Sequence, residues 1–446
     1  MPVDFQSLNA GDTAWVLASA ALVLLMTPGL AFFYGGMVRS KNVLGMLMQN
    51  YVAIGIVSVL WVLVAYSLAF GANGFGGFAG NLHQFGLAHM GEQVAGYTDG
   101  KHYLQTIPPL VFVAFQLMFA VITPALITGA SADRLKFGAY CVFIGAWLLL
   151  VYAPIAHWVF SPEGWLFKRG AEDFAGGTVV HANAGAAGLA LAIVLGKRLG
   201  WKKDPMRPHN LPFTLLGAGL LWFGWFGFNA GSALGANNLA GYAFVNTNTA
   251  TAAAMLGWII VEKLRDGHST TLGAASGAVA GLVAITPAAG FVSPMGSIVL
   301  GFIAGALCSL AVLLKYKLGY DDALDVVGVH LVGGVAGALL IGFLGTKATG
   351  IGLDGVFYGG GWHLMKLQAE CVGAAVGYSF VATFILAKVI DWVMGLRLTP
   401  DEEQEGMDTV LHAETAYDFG GVAAGGFSPG QRAAHQTVSL TEGASA

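Results

Sequence analysis

Long apolar stretches recur along the chain, separated by shorter polar segments. A helix needs about 20 apolar residues to cross the hydrocarbon core of a bilayer. Eleven stretches predict such helices: 13–36, 44–70, 108–129, 137–157, 174–195, 211–231, 244–262, 270–290, 296–314, 326–344 and 367–394. The eighth stretch is the weakest, because it is rich in Ala and Gly and closes at Pro287. The pattern predicts an all-α integral membrane protein with eleven transmembrane helices.

The composition supports this fold class. Of the 446 residues, 56% are hydrophobic and 10% are charged, against about 25% charged in a typical soluble domain. These values exclude a cytosolic enzyme and a disordered chain. The net charge of −4 gives no polybasic character, so nucleic acid is not expected as a partner. Three cysteines, Cys141, Cys308 and Cys371, lie inside apolar runs without the spacing of a metal site, and we expect no metal or cofactor.

Basic residues are distributed unevenly between the predicted loops. With the N-terminus outside, thirteen of the 21 Lys and Arg residues fall in inner loops and five in outer segments. Cytoplasmic loops carry such an excess of positive charge. No basic residue precedes Arg39, so the first run lacks the charged start of a signal peptide. We therefore expect the N-terminus outside and the C-terminus inside.

Two regions follow from these patterns. Residues 1–394 form the predicted transmembrane domain, and residues 395–446 form a cytoplasmic C-terminal tail. The tail begins with an acidic cluster that is a candidate docking element and consists of Asp401, Glu402, Glu403 and Glu405.

Glycine is unusually frequent, at 65 residues, and much of it repeats at four-residue spacing. Small residues at this spacing let membrane helices approach closely. Five predicted spans carry the pattern: Gly227 with Gly231, Gly273 with Gly277 and Gly281, Gly301 with Gly305, Gly333 with Gly337, and Gly373 with Gly377. We interpret them as helix-packing positions.

Two histidines lie inside apolar spans, in the segments VVHANAGAAGLALA and GVHLVGGVAGALLI. His181 and His330 are each preceded by Val and followed by Gly at the fourth and seventh positions. They fall in the fifth and tenth spans, so the repeat unit is five helices and the second copy is inverted. The repeat halves are about 13–195 and 211–344, and 367–394 is a final helix.

An ionisable group inside a span is a candidate functional residue. The alternative is a neutral histidine that forms hydrogen bonds within the bundle, but two in equivalent positions favour function. Asp173 opens the fifth span and is expected to cap it while adding negative charge at the outer mouth. Asp325 is the expected counterpart before His330.

Aromatic residues crowd the sixth span, LLWFGWFGFNAGSA, just before Ser232, and the third span contributes FQLMFA. Aromatic rings commonly form a belt at the membrane interface. They also bind cations over their faces. The aromatic pattern alone leaves both interpretations open.

The chain resembles the ammonium transporter family, relatives of the Rh glycoproteins, to about Phe419. The matching segments are DTAWVLASAALVLLMTPGLAFFYGGMVRSKN, FQLMFAVIT, DFAGGTVVHANAGAAGLALA, WFGWFGFNAGS, DDALDVVGVH and LRLTPDEEQEGMDTVLHAETAYDF. The resemblance implies eleven spans in two inverted five-helix halves and a homotrimer with one pore per subunit.

The family motifs also imply roles for individual residues at the outer mouth. Phe119 and Phe228 match the pair of phenyl rings that form the outer gate. Trp225 and Ser232 match part of the external ammonium recruitment site, and Asp173 matches a carboxylate that supports recruitment.

One position departs from the family. Phe160 stands where a tryptophan is common after an APIAHWV-type segment. Trp is the best cation–π face, so recruitment is expected to be weaker unless Trp165 substitutes from the loop.

Deeper in the pore, His181 and His330 match the twin histidines of the hydrophobic lumen. The resemblance places Leu126, Leu221 and Val326 in the lumen wall.

The implied function is uptake of ammonium or ammonia, and potentially methylammonium, across the cell membrane by a non-enzymatic transporter. Our hypothesis is that ammonium loses its water and its proton near the aromatic mouth and passes the histidines as ammonia, since a bare cation is costly to desolvate. Whether the proton follows stays open. The alternatives are an ammonium sensor with this fold and a membrane haem protein ligated by both histidines. The tail implies docking of a cytosolic PII-type regulatory protein.

Overall fold

The structure is a computed structural model that describes residues 8–96 and 106–417. Within these residues, ten helices are long and apolar enough to cross a membrane. They are α1 Ala10–Met37, α2 Ser40–Phe70, α3 Pro109–Ser131, α4 Phe137–Val159, α5 Gly177–Leu195, α6 Leu211–Gly231, α7 Asn238–Asp266, α9 Pro294–Leu318, α10 Val327–Leu344 and α11 His363–Met394. The predicted tail continues beyond the described residues at 418–446. The chain is therefore an all-helical, multi-pass membrane protein.

The eighth predicted span corresponds to a shorter apolar helix, α8, Thr271–Ile285. The sequence already marked this stretch as the weakest, and the helix ends just before Pro287. At 15 residues it is below the length that spans a bilayer without help from its flanks.

Several helices begin at a side chain that accepts a backbone N–H of the first turn. These N-cap residues are Asn9, Asn210, Asn237, Thr270 and Ser293. Polar residues in the loops thus fix where α1, α6, α7, α8 and α9 begin.

Within the described part of the chain, four helices contain a π-helical turn: Trp61–Ala65 in α2, Leu148–Tyr152 in α4, Gly177–Ala182 in α5 and Val327–Leu331 in α10. π-Helical turns are rare and occur frequently at functional sites. Two of the four carry the span histidines, His181 and His330.

The remaining elements are short. Residues Asn73–Gly74 and Ala79–Gly80 pair as an antiparallel hairpin. Short helices link or follow the spans at Phe75–Gly77, Phe85–Leu87, Trp165–Arg169, Lys347–Thr349, Val356–Tyr358, Pro400–Glu405 and Met407–His412.

Glycines set the distance between helices. A Cβ atom at Gly217 of α6 would lie 2.2 Å from the backbone nitrogen of Phe33 in α1, and one at Gly305 of α9 would lie 2.0 Å from the carbonyl oxygen of Ala254 in α7. Backbones in such contact leave no room for a side chain. The packing role predicted for glycine is confirmed in α6, α8, α9 and α10.

The prediction for the last span is wrong. Gly373 and Gly377 of α11 have no heavy atom within 4 Å of a Cβ position and face away from the bundle. They pack against none of the residues that the structure describes, because the buried face of α11 is formed by other positions, among them Cys371 and Ala375.

Charged side chains gather at one end of the bundle. Arg198, between α5 and α6, pairs with Asp321 before α10 at 2.9 Å and with Asp133 between α3 and α4 at 3.3 Å. Arg39, after α1, also pairs with Asp133, at 3.1 Å. Arg134 is fully buried and donates to the carbonyl oxygen of Asp321 at 2.7 Å. The links α1–α2, α3–α4, α5–α6 and α9–α10 therefore meet at this end.

The first part of the tail folds against the same end. Met407 donates its N–H to Asn42 at 2.8 Å, and Asp408 accepts the N–H of Gly45 at 2.8 Å. Glu403 is buried, accepting from the Leu199 N–H and from Arg397, each at 2.7 Å. Of the predicted docking acids, Glu403 is thus held inside the protein, whereas Asp401 and Glu405 are exposed.

Candidate functional site

His181 and His330 lie side by side in the centre of the structure. Their Nδ1 atoms are 3.3 Å apart and their ring centroids 5.4 Å apart. Both residues are almost fully buried, and the Nε2 atom of His181 has no hydrogen-bond partner among the described residues. In such a contact one Nδ1 carries the proton and the other accepts it, so the geometry fits two neutral imidazoles.

The two histidine segments pack on each other reciprocally. A Cβ at Gly185, four residues after His181, would lie 2.3 Å from the backbone nitrogen of Leu331. A Cβ at Gly334, four residues after His330, would lie 2.9 Å from the backbone nitrogen of Ala182. Each glycine therefore admits the residue that follows the other histidine. This crossing brings the rings together.

Asp173 caps α5, as the sequence predicted. Its carboxylate accepts the backbone N–H groups of Gly176, Gly177, Thr178 and Val179 at 2.7–3.1 Å. Burial raises the pKa of this carboxyl, while the four hydrogen bonds act in the opposite direction.

The counterpart predicted for the second half is wrong. Asp322, not Asp325, accepts the N–H groups of Val326 and Val327, at 3.1 and 2.7 Å. Asp322 precedes His330 by eight residues, the spacing that separates Asp173 from His181. Asp325 has a positive φ of 65° and pairs with Lys315 at 2.6 Å. The common spacing of eight residues could have identified Asp322.

A cavity, here called the Ser232 cavity, lies beside the Asp173 cap. It has a volume of about 190 Å³, room for several water-sized molecules. Three of the predicted recruitment residues line it: Phe160, Asp173 and Ser232. The Ser232 hydroxyl donates to the carbonyl oxygen of Phe228 at 2.8 Å, which leaves its oxygen lone pairs free to accept.

Two polar residues of this cavity were not predicted. Gln116 and Glu172 line it, and the Gln116 Oε1 atom is buried without a partner among the described residues. Gln116 is the one polar residue in the segment FQLMFA, and Glu172 directly precedes Asp173. A polar side chain inside an apolar span is a signal that could have drawn attention to Gln116.

Aromatic rings connect the cavity to the histidines. Phe160 lies edge-on to Phe119 at 6.4 Å between centroids, and Phe119 lies 4.2 Å from Phe228. Phe228 in turn lies 6.0 Å from His181. The predicted gate rings are therefore in contact with each other and stand between Phe160 and the histidine pair.

Trp225 does not join the cavity. It is buried, its ring stacks on His181 at 5.2 Å, and its Nε1 donates to the Thr286 hydroxyl at 2.8 Å. The structure places it beside the histidines rather than among the recruitment residues. Trp165 does not line the cavity either; it is 39% exposed and contacts Trp158.

The three predicted lumen-wall residues, Leu126, Leu221 and Val326, are all buried. Val326 lies where a Cβ at Gly129 of α3 or at Gly188 of α5 would meet it, at 2.6 and 3.1 Å. These positions are apolar and enclosed.

A second cavity lies at the charged end and is here called the Lys315 cavity. Its lining includes Arg198, Lys202, Lys203, Lys315 and Asp325. Three of these basic groups have acidic or carbonyl partners: Arg198 pairs with Asp321, Lys315 pairs with Asp325, and Lys202 donates to the carbonyl oxygen of Tyr316.

Haem ligation by the histidines does not fit this geometry. Axial ligands of one haem lie on opposite sides of the macrocycle, whereas the Nδ1 atoms here are in direct contact at 3.3 Å. Among the described residues, one group could hold a metal ion: His83, His89 and Glu92, in the loop after α2. The two histidines are exposed and Glu92 is half-buried, and each histidine pairs with Glu92.

Comparisons with known proteins identify the family of the chain. The sequence model of the Ammonium Transporter Family matches residues 14–417. An ammonium transporter from Mycobacterium tuberculosis is 55% identical, over 94% of this chain and 93% of that protein. One from Bacillus subtilis is 50% identical, over 92% and 99%. The crystal structure of Saccharomyces cerevisiae Mep2 superposes with a TM-score of 0.82 at 35% identity, covering 89% of this chain and 92% of that one. The chain belongs to the ammonium transporter family.

Proposed function

We propose that the chain takes up ammonium through the Ser232 cavity and passes it to the histidine pair as ammonia. Ammonium enters the cavity, where Phe160 offers a cation–π face and Ser232 a hydrogen-bond acceptor. Before the Phe119–Phe228 gate an N–H bond of ammonium breaks, its proton passes to water in the cavity, and the remaining ammonia passes His181 and His330. Methylammonium is a second substrate of the same chemistry.

One observation carries this proposal: the unbroken series of rings from Phe160 through Phe119 and Phe228 to His181 and His330. Beyond the cavity, the polar groups in this series are the two imidazoles. A bare cation there would lose its hydration without gaining a counter-charge, whereas neutral ammonia needs only a hydrogen-bond partner. Trp225, stacked on His181, adds to the apolar enclosure.

The eleven-span topology is part of the proposal. Arg198 in the α5–α6 link pairs with Asp321 in the α9–α10 link, so an even number of crossings must separate these links. Helices α6, α7 and α9 alone would give three, so α8 counts as a crossing. The reciprocal contacts of Gly185 and Gly334 support two inverted halves.

The orientation follows from charge. Asn9, at the start of α1, donates to the carbonyl oxygen of Thr106 at the end of the bundle opposite the Arg198 network. Positively charged links face the cytoplasm. The N-terminus and the Ser232 cavity therefore lie outside, in a cell-membrane protein, and the tail lies inside.

We include two partners in the proposal. Three copies of this chain form a homotrimer, each with its own pore, in keeping with the family resemblance. A PII-type protein docks at the cytoplasmic end, where Asp401 and Glu405 are exposed. Exposed apolar side chains on the spans contact lipid.

Ammonium flux into proteoliposomes tests the proposal. We expect His181→Ala with His330→Ala to lower the flux by about tenfold or more, about 1.4 kcal/mol in the barrier. The exposed His268→Ala is the matched control and should leave flux unchanged. Selective flux at the wild-type rate in the double variant, with a normal size-exclusion profile, would contradict the proposal. If the chain were an ammonium sensor, the wild-type protein would bind ammonium but would carry no ammonium into the proteoliposomes.

A further inference from the structure

Glu172 is a buried acid at the wall of the Ser232 cavity. It is 6% exposed. One carboxyl oxygen, Oε1, accepts the backbone N–H of Leu353 at 2.6 Å. The other, Oε2, is buried and has no hydrogen-bond partner among the described residues. A buried carboxyl oxygen without a partner is costly unless a ligand or a proton satisfies it.

The backbone holds Glu172 in place. Its N–H donates to Gln368 Oε1, and its carbonyl oxygen accepts from Gln368 Nε2, both at 2.7 Å. Gly352 packs against the carboxyl: it has a φ of +79°, and a Cβ there would lie 2.9 Å from Glu172 Oε1. The carboxyl is therefore positioned by contacts that do not involve Oε2.

Among the described residues, the charged groups around Glu172 provide no basic partner for its carboxyl group. Neighbouring Asp173 is committed to four backbone N–H groups. Asp354 pairs with Lys347 at 3.7 Å, and Glu370 of α11 pairs with Arg169 at 2.8 Å. No Lys or Arg is among the described residues that line the cavity. Burial raises the pKa of Glu172 to about 8; Asp354 adds to this, and the Leu353 N–H opposes it.

We propose that Glu172 is a cation ligand of the Ser232 cavity, which exchanges its proton for an ammonium-type cation. The inference rests on the proposed entry of substrate through this cavity. On binding, the carboxyl O–H bond breaks and its electron pair stays on Oε2, which then accepts an N–H of the cation. The released proton leaves to water in the cavity. Gln116 Oε1 and Ser232 Oγ are further acceptors on the same wall.

The direction of the pH dependence follows. Below the pKa of about 8 the neutral carboxyl has to lose its proton for the cation to bind, whereas above it the carboxylate is ready. Cation affinity therefore rises with pH up to this value. Glu172→Gln keeps the acceptor for Leu353 but cannot ionise, so its affinity is independent of pH over this range.

Methylammonium uptake into proteoliposomes tests this at about pH 6 and about pH 9, on either side of the Glu172 pKa. We expect the wild-type KM to fall by up to about a hundredfold between these values, because the ionised fraction of a carboxyl with a pKa of about 8 rises from about 1% to about 90%, while the KM of Glu172→Gln stays constant. Glu163→Gln, on the same outer face and paired with Lys168, is the control and should follow wild type.

A second measurement does not depend on transport. Methylammonium added to detergent-solubilised wild type in weak buffer at about pH 7, below the Glu172 pKa, should release protons, and Glu172→Gln should release none. Equal KM profiles and equal proton release in the two proteins would overturn the role of Glu172. If wild type itself showed no flux, the proposed function would fail instead.

Discussion

The two histidine segments share one backbone design but differ at their entrances. In each, an aspartate eight residues before the histidine caps a π-helical turn, and a glycine four residues after it receives the other segment. Asp173 stands beside the Ser232 cavity, where no Lys or Arg is among the described lining residues. Asp322 lies next to Lys315, whose ammonium donates to the Asp322 carbonyl oxygen at 3.0 Å.

This comparison separates the groups that position the two histidine rings from the groups that we propose bind the cation. The shared parts, the caps and glycines, hold the rings of His181 and His330 in contact. The unshared parts differ in charge: the Ser232 cavity has an acid without a basic partner, Glu172, whereas the Lys315 cavity has salt bridges. Burial raises the pKa of Asp322 to about 6 even though Lys315 lowers it. A carboxyl group without a basic partner attracts a cation once it has lost its proton, so our proposal places cation binding at the Ser232 cavity rather than at the Lys315 cavity.

Removing the two caps compares the halves most strongly. Asp173→Ala leaves four N–H groups without an acceptor and Asp322→Ala leaves two. Each costs about 1–3 kcal/mol when buried. We expect Asp173→Ala to lower the apparent melting temperature in detergent about twice as far, with exposed Asp401→Ala as control. Equal losses would show that the caps are equivalent.

Cutting the salt-bridge network sharpens the contrast between the entrances. Arg198→Met leaves the Asp321 carboxylate without its salt-bridge partner, whereas Asp133 keeps Arg39, and breaking a buried pair costs about 3–5 kcal/mol. Glu172→Gln breaks no ion pair and should unfold at the wild-type temperature. Thermal unfolding monitored by tryptophan fluorescence measures both. If the unfolding temperature fell by a similar amount in Arg198→Met and Glu172→Gln, the two cavities would not differ in the way that their charges contribute to stability.

The reciprocal glycines test the shared scaffold. Gly185→Ala and Gly334→Ala put a Cβ within 2.3 and 2.7 Å of the opposing backbone. Overpacking of this kind costs about 1–3 kcal/mol, and displacement of the rings should reduce ammonium flux. Gly373→Ala on α11, with open space around it, is the control. If Gly185→Ala and Gly334→Ala carried ammonium as fast as Gly373→Ala, the close packing of the two histidine segments would not be needed for transport, which would contradict our account.

The smallest expected effect concerns the aromatic mouth. Phe160→Trp enlarges the cation–π face and should tighten the ammonium KM by two- to fivefold, about 0.5–1 kcal/mol. Trp165→Ala should change nothing, because Trp165 does not line the Ser232 cavity. A raised ammonium KM in Trp165→Ala would contradict this expectation. It would indicate that Trp165 helps to recruit ammonium in place of the tryptophan that is replaced by Phe160.

Hydrophobic periodicity predicted the helices well because lipid requires long apolar stretches. It could not reveal the π-helical turns at Gly177–Ala182 and Val327–Leu331, which depend on caps and on tertiary packing. It also misjudged α11: four-residue glycine spacing marks a face for close packing but does not say whether the partner belongs to the same chain.

At the site, the sequence predicted the pair of His181 and His330 from their repeated surroundings, and the resemblance predicted Phe119 and Phe228 as gate rings; the structure brings each pair into contact. Trp225 was misplaced because its nearness to Ser232 along α6 hides its direction, toward His181. Glu172 was missed because an acid in a loop is ordinary in sequence. Only burial and the unpartnered oxygen distinguish it.

The central claim is that the substrate crosses the histidine pair as a neutral molecule. Parallel flux measurements with ammonium and with potassium in wild-type proteoliposomes test it most directly, since potassium has the same charge and a similar size but no proton to lose. The account predicts ammonium flux with potassium flux no greater than in protein-free liposomes. Potassium flux comparable to that of ammonium would contradict it.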